Sequence, residues 1–218
     1  MTLIAYHPPV HPWLVIVYQD DDIVVMNKPS GLLSVPGKAP EHYDSAWSRL
    51  ARVLPTIRVV HRLDMGTSGL LVFALHKTAQ AALQRQFEKR TVEKSYRARV
   101  WGRPPAESGS VDAPLRCDWP NRPRQMVDEA EGRQALTHYR VLQQHEHYAD
   151  MELTPVTGRS HQLRVHMQLL GNPILGDKFY AEGAAFAAAD RLLLHAQRIR
   201  FDHPTRGEPM SFECPADF

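Results

Sequence analysis

Between two apolar runs, Val59-Val60 and Leu70-Leu71-Val72-Phe73-Ala74-Leu75, the chain carries the polar stretch His61-Arg62-Leu63-Asp64-Met65-Gly66-Thr67-Ser68-Gly69. Apolar β-formers on both sides of a Gly/Thr/Ser turn predict strand, tight loop, strand, with the strands at 59–63 and 70–75. Asp64 then stands at a strand end, on a loop held by two buried elements, where a rigid scaffold can present a reactive group. Arg62 lies two residues earlier, so both side chains leave one face if the strand is regular to that point. On these residues alone the better reading of Asp64 is a cap that accepts from the Thr67 or Ser68 amide.

The rest of the chain alternates short strand patterns with a few helices. Residues 13–18 form a continuous apolar run, expected as a buried strand that turns through Gln19-Asp20-Asp21-Asp22 into a partner at 23–26. The segment 95–101 alternates, with Tyr96, Ala98 and Val100 on one face and Arg97 and Arg99 on the other. Further strands are expected at 111–115, near Met126, and at 135–142, 148–153, 192–201 and 210–213. Helices are expected at 45–54, capped by Asp44 and ended by Pro55, at 79–89, capped by Thr78, and at 161–170, capped by Ser160 and stopped by Gly171. Many strands with few helices imply an α+β fold: a mostly antiparallel mixed sheet with flanking helices and loops. No linker or internal repeat appears, so one domain is expected over 1–218.

Composition narrows the function classes. No apolar run approaches the ~20 residues that cross a bilayer, and residues 1–10 lack the basic and apolar regions of a signal peptide. Cys117 and Cys214 are the only cysteines, and neither lies in a Cys-x-x-Cys pattern. A soluble, cytoplasmic protein is expected. The net charge of +2 does not by itself indicate nucleic acid. Its distribution says more: from 85 to 103 stand Arg85, Lys89, Arg90, Lys94, Arg97, Arg99 and Arg103 against only Glu88 and Glu93. Such an excess can track a phosphate backbone, or be a solvated helix end and strand face. Trp119-Pro120-Asn121-Arg122-Pro123-Arg124 has the same two readings, an RNA contact by stacking and charge or a surface loop. Lys28 reads as a loop lysine, solvated or meeting a phosphate. In the 161–170 helix Leu163, Met167 and Leu170 make the inward stripe. Arg164 sits beside it and needs an anionic partner, for which Asp64 is the candidate. His161 and His166 are five apart, not the i, i+4 of a helical metal site, so no metal is expected.

The stretch His61–Gly69 resembles the HRLDxxTSG signature of the RluA-type pseudouridine synthases. Asn27-Lys28-Pro29-Ser30-Gly31, then Lys94-Ser95-Tyr96-Arg97-Ala98, then Thr157-Gly158-Arg159-Ser160-His161-Gln162-Leu163-Arg164-Val165-His166-Met167, running on to Gly171-Asn172-Pro173-Ile174-Leu175-Gly176-Asp177, match that family in the same order. The N-terminal stretch Pro12–Asp20 and the tail Cys214–Phe218 are similar to those of the member that acts on both tRNA and large-subunit ribosomal RNA. The resemblance implies an isomerase that converts uridine to pseudouridine in RNA, with the anticodon stem-loop of tRNA and a hairpin of 23S rRNA as substrates. It implies a central catalytic cleft in that fold, no cofactor, a monomer, and no separate N-terminal RNA-binding domain. Asp64 would be the catalytic nucleophile or base. Arg164 would keep it ionised, and Tyr96 would bound the base pocket. His61, Arg62, Thr67, Arg159 and His161 would contact RNA. The target base must leave its stack, and Arg62 is the candidate to fill the vacated space, or else makes a salt bridge or phosphate contact on the cleft wall.

Other classes fit less well. A Ser-His-Asp hydrolase would show a Gly-x-Ser-x-Gly elbow, which is absent. An aspartyl phosphatase would want a second aspartate two residues after Asp64, where Gly66 stands. A catalytically silent RNA-binding module accounts for the basic stretch but not for the ordered motifs.

Overall fold

Four consecutive side chains, Ile23, Val24, Val25 and Met26, are fully buried. A strand buried on both faces must be apolar throughout, and this one lies inside a sheet. In the computed structural model, which describes residues 6–218, strand β1 is Ile16–Gln19 and strand β2 is Ile23–Lys28. They form the expected antiparallel hairpin, and Asp20 closes its turn by accepting from the Asp22 and Ile23 amides. The run at 13–18 is not a buried strand. Only its end is extended, Trp13, Ile16 and Val17 are exposed, and β1 pairs on one side only, as an edge strand.

Helix α1 is Ala46–Ala51, strand β3 Arg58–Val59, strand β4 Ser68–Ala74 and helix α2 Lys77–Glu88. Ser45, not Asp44, caps α1 in a reciprocal capping box with Ser48. Asp44 instead makes a two-point pair with the buried Arg49. His76, not Thr78, caps α2, its Nδ1 accepting from the Ala79 amide. Strand β4 runs antiparallel to β2, with Val25 opposite Val72 and Lys28 opposite Gly69. That register sets the Asn27–Gly31 loop beside the His61–Gly69 stretch.

Strand β5 is Glu93–Trp101, β6 Ser108–Asp112, β7 Leu115–Cys117, β8 Gln125–Val127, β9 Leu136–Gln144 and β10 Tyr148–Pro155. Helix α3 is Gln162–Leu169, helix α4 Gly183–Ala187, strand β11 Leu194–Asp202 and strand β12 Pro209–Glu213. The chain clusters into two compact units. One holds the chain through Val92 with Arg198–Pro215, the other Glu93–Gln197 with Ala216–Phe218. The chain passes between them at the start of β5, inside β11 and after Pro215, and no loop-like composition marks the first two crossings.

In the first unit Ile23, Val25, Leu70, Val72, Ala79, Leu83, Ile199 and Phe201 share a core. In the second, β5, β10, β9 and β6 pair antiparallel in that order, and β7 and β8 form a separate hairpin. Ala98 and Val100 lie in the core with Met151, Leu153, Leu163 and Met167, and Tyr96 packs against them half-buried. The alternation along β5 is as expected, but its basic face is partly neutralised. Arg97 and Arg99 both pair with buried Asp150, at 3.0 and 2.8 Å. The architecture is α+β with mainly antiparallel pairing. Among the described residues no helix is long and apolar enough to cross a membrane.

Candidate active site

The first unit presents Asp64 on a loop whose main chain is fixed on both sides. Strand β3 stops at Val59, three residues short of Arg62, so the expected regular strand to Leu63 is not formed. The physical reason is His61, whose ring Nε2 accepts the Val72 amide of β4 at 3.1 Å. A continued β3 would compete for that amide. The same ring stacks on Phe87 of α2, with 4.7 Å between centroids. Arg62 is exposed, Leu63 buried and Asp64 half-buried, so their placement comes from an irregular loop and not from strand alternation.

Residues 28–34 hold this loop. Ser34 Oγ donates to the Leu63 carbonyl at 2.6 Å and accepts from its amide at 3.0 Å. The Gly31 amide donates to the Met65 carbonyl at 2.9 Å, from a left-handed backbone (φ +85°) that suits glycine. Ser30 Oγ donates to the Gly66 carbonyl at 2.7 Å. The Thr67 amide closes the turn onto the Asp64 main-chain carbonyl at 3.1 Å, and the Thr67 side chain is buried.

Lys28 is the residue whose role the sequence hid. It is 0 % exposed, and Nζ donates to the carbonyls of Leu32, Pro29 and Met65 at 2.7, 3.0 and 3.1 Å. Burial drives its pKa down to about 7, against the field of Asp64, which favours the charged form. A lysine two residues beyond the apolar run Ile23–Met26 was the available signal. The loop reading of Lys28 overlooked that β2 extends through it.

In the second unit α3 carries Arg164, buried, with a planar fork on Asp177: Nε to Oδ2 and Nη2 to Oδ1, each 2.7 Å. Asp177 Oδ1 also accepts from the Phe179 and Tyr180 amides at 2.9 and 3.3 Å. The guanidinium carbon lies 5.3 and 5.0 Å from the Phe179 and Tyr180 ring centroids. His161, not Ser160, occupies the cap position of α3, in a left-handed backbone (φ +54°), with Nδ1 2.7 Å from the Tyr180 hydroxyl. Arg159 Nε donates to the Gln134 carbonyl at 3.1 Å. Trp119 is 67 % exposed, with the Arg122 guanidinium 4.0 Å from its ring centroid. The sequence reading foresaw that Arg164 needs an anion, but not that Asp177 supplies one.

A half-buried carboxylate on a rigid loop, beside a buried ammonium, suits chemistry by a positioned carboxylate. The class is fixed by comparison: the family model for RNA pseudouridylate synthase matches residues 22–169, and the chain belongs to that family. It is 56 % identical over 214 residues, 98 % of each chain, to the dual-specificity RNA pseudouridine synthase RluA of Escherichia coli strain K12. It is 54 % identical over 223 residues to the protein of that name from Vibrio vulnificus strain CMCP6, spanning all of this chain and 89 % of that one. Among solved structures, human RNA Pseudouridylate Synthase Domain Containing 1 superposes with a TM-score of 0.78 at 30 % identity, covering 94 % of this chain and 84 % of its own. The protein is therefore a pseudouridine synthase, an isomerase acting on RNA, and the silent-module reading finds no support.

Proposed function

We propose that the enzyme isomerises uridines in two RNAs, the anticodon stem-loop of tRNA and a hairpin of 23S rRNA, as a cytoplasmic monomer whose 218 residues form one catalytic domain. The observation that carries this is the near full-length identity to dual-specificity relatives. Stem-loops also suit the chemistry, because loop bases unstack at low cost.

In the reaction the uracil N1–C1′ bond breaks, the base turns, and a C5–C1′ bond forms. C5 loses its proton and N1 gains one, so nothing is oxidised or hydrolysed and no cofactor is called for. Asp64, ionised, acts as nucleophile or base at the ribose and base. Tyr96 bounds the base pocket and assists removal of the C5 proton. Arg164 takes part in the chemistry through the direction of its guanidinium donors. His61, Arg62, Thr67, Arg159 and His161 support the RNA around the target. For His61 and Thr67 this support runs through the loop they anchor.

The reading is tested with uridine RNA tritiated at C5. Tritium should be released from an anticodon stem-loop and from a 23S rRNA hairpin. A pseudouridine map of RNA from cells lacking the protein should lose one site or more in each class. Loss confined to one class would overturn the dual assignment.

A further inference from the structure

We infer that Asp177 is a positioning residue for the isomerisation: it fixes the plane and direction of the Arg164 guanidinium. The inference rests on the reading that Arg164 acts in the chemistry. Nε and Nη2 of Arg164 each meet one Asp177 oxygen at 2.7 Å, so the fork fixes the guanidinium in two directions. Asp177 is itself immobile. It is fully buried, and the amides of Phe179 and Tyr180 hold Oδ1. Phe179 and Tyr180 then supply rings 5.3 and 5.0 Å from the guanidinium carbon. Tyr180 is held in turn by the Gln125 amide, which donates to its hydroxyl at 2.8 Å, and by His161. One short turn after Gly176 therefore supplies both the acceptor fork and two flanking rings.

The pair has a second consequence. A carboxylate in contact at two points offsets the net charge of Arg164, so Arg164 acts chiefly through the aim of its donors. Orientation then carries its effect, and Asp177 sets that orientation. A misplacement on the order of 1 Å at such a group costs about 100-fold in rate. The plain alternative is that Asp177 only stabilises the fold.

The two are separated by single-turnover tritium release from a C5-tritiated uridine stem-loop. It is measured at a temperature where circular dichroism shows each variant folded, with RNA affinity measured in parallel. Asp177→Asn should slow the step about 100-fold while RNA affinity stays within about threefold. Should Asp177→Asn fail to fold, Asp177→Glu keeps the charge and shifts the fork by one methylene, and should still slow the step at least about tenfold. In the Arg164→Lys background, Asp177→Asn should cost little more, because both act through one guanidinium. Parental rates for folded Asp177→Asn or Asp177→Glu, with Arg164→Lys slow, would overturn the positioning role alone. So would fully additive losses in the double variant. A parental rate for Arg164→Lys would instead remove Arg164 from the chemistry, and the role of Asp177 would fall with it.

Discussion

At the scale of single residues, the proposed mechanism separates a group that reacts from groups that aim and support it. Asp64→Asn removes a charge at nearly constant volume, and the main chain of its loop is held by the Ser30 and Ser34 hydroxyls and the Gly31 amide. Folding and RNA binding should survive, while tritium release falls by about 1000-fold or more. Release at the parental rate would sink the assignment. Arg164→Lys replaces a planar fork with a single ammonium. It should slow turnover at least about tenfold even though the charge is kept, and single-turnover rates on one stem-loop measure this. Arg62 is exposed on the irregular loop beside Asp64, suited to occupy the space left by a flipped base. Arg62→Ala should therefore slow a tightly stacked stem-loop more than a destabilised one. Equal losses on both, with uniformly weaker binding and a salt slope reduced by about one unit, would make it a phosphate contact.

At the scale of elements, the decisive pairing is β2 with β4, because it brings two loops side by side. Lys28 ends β2 opposite Gly69, and its ammonium satisfies three carbonyls that no strand partner reaches. Lys28→Met removes the donor shared by the Leu32, Pro29 and Met65 carbonyls, of which Met65 keeps the Gly31 amide, at a net cost of about 2 kcal/mol after the relief of burying a charge. The melting temperature should drop by roughly 4–8 °C. The same residue gives a pH signature. Its folded pKa, about 7, lies below the ordinary lysine value of 10.5, so between these pH values the unfolded chain binds more protons. Stability contributed by this site therefore rises with pH from about 7 to 10.5. Urea melts across that range should show the rise in the parent and a shallower slope in Lys28→Met, and identical slopes would refute it. Helix caps show how local chemistry is redirected. Asp44 is a good cap by type, but buried Arg49 claims it, and Ser45 takes the position.

At the scale of the molecule, the first unit is closed by a charged knot joining its early and late segments. Asp20, in the β1–β2 turn, meets His203, which follows β11, at 2.9 Å. Burial pushes the Asp20 pKa up, but the Ile23 and Asp22 amides, the Tyr18 hydroxyl and the His203 ring outweigh it and bring it down to about 2. Its stabilisation, on the order of 2 kcal/mol, is present above the ordinary carboxylate value and is lost as pH falls toward 2. Asp20→Asn should therefore be less stable at neutral pH and lose less stability below about pH 4, as acid melts would show. By itself the sequence determined the motif around Asp64, the family, the β1–β2 hairpin and the two faces of β5. Each is written in local periodicity or in an uninterrupted motif. Only the tertiary structure decided that β3 yields to the His61 ring, that β1 is an exposed edge, that Arg97 and Arg99 spend their charge on Asp150, and that Lys28 is buried. It alone joined Arg164 to Asp177, 13 residues away, and Lys28 to Met65, 37 residues away. Such partners depend on strand register and side-chain reach in three dimensions, and local spacing along the chain carries neither.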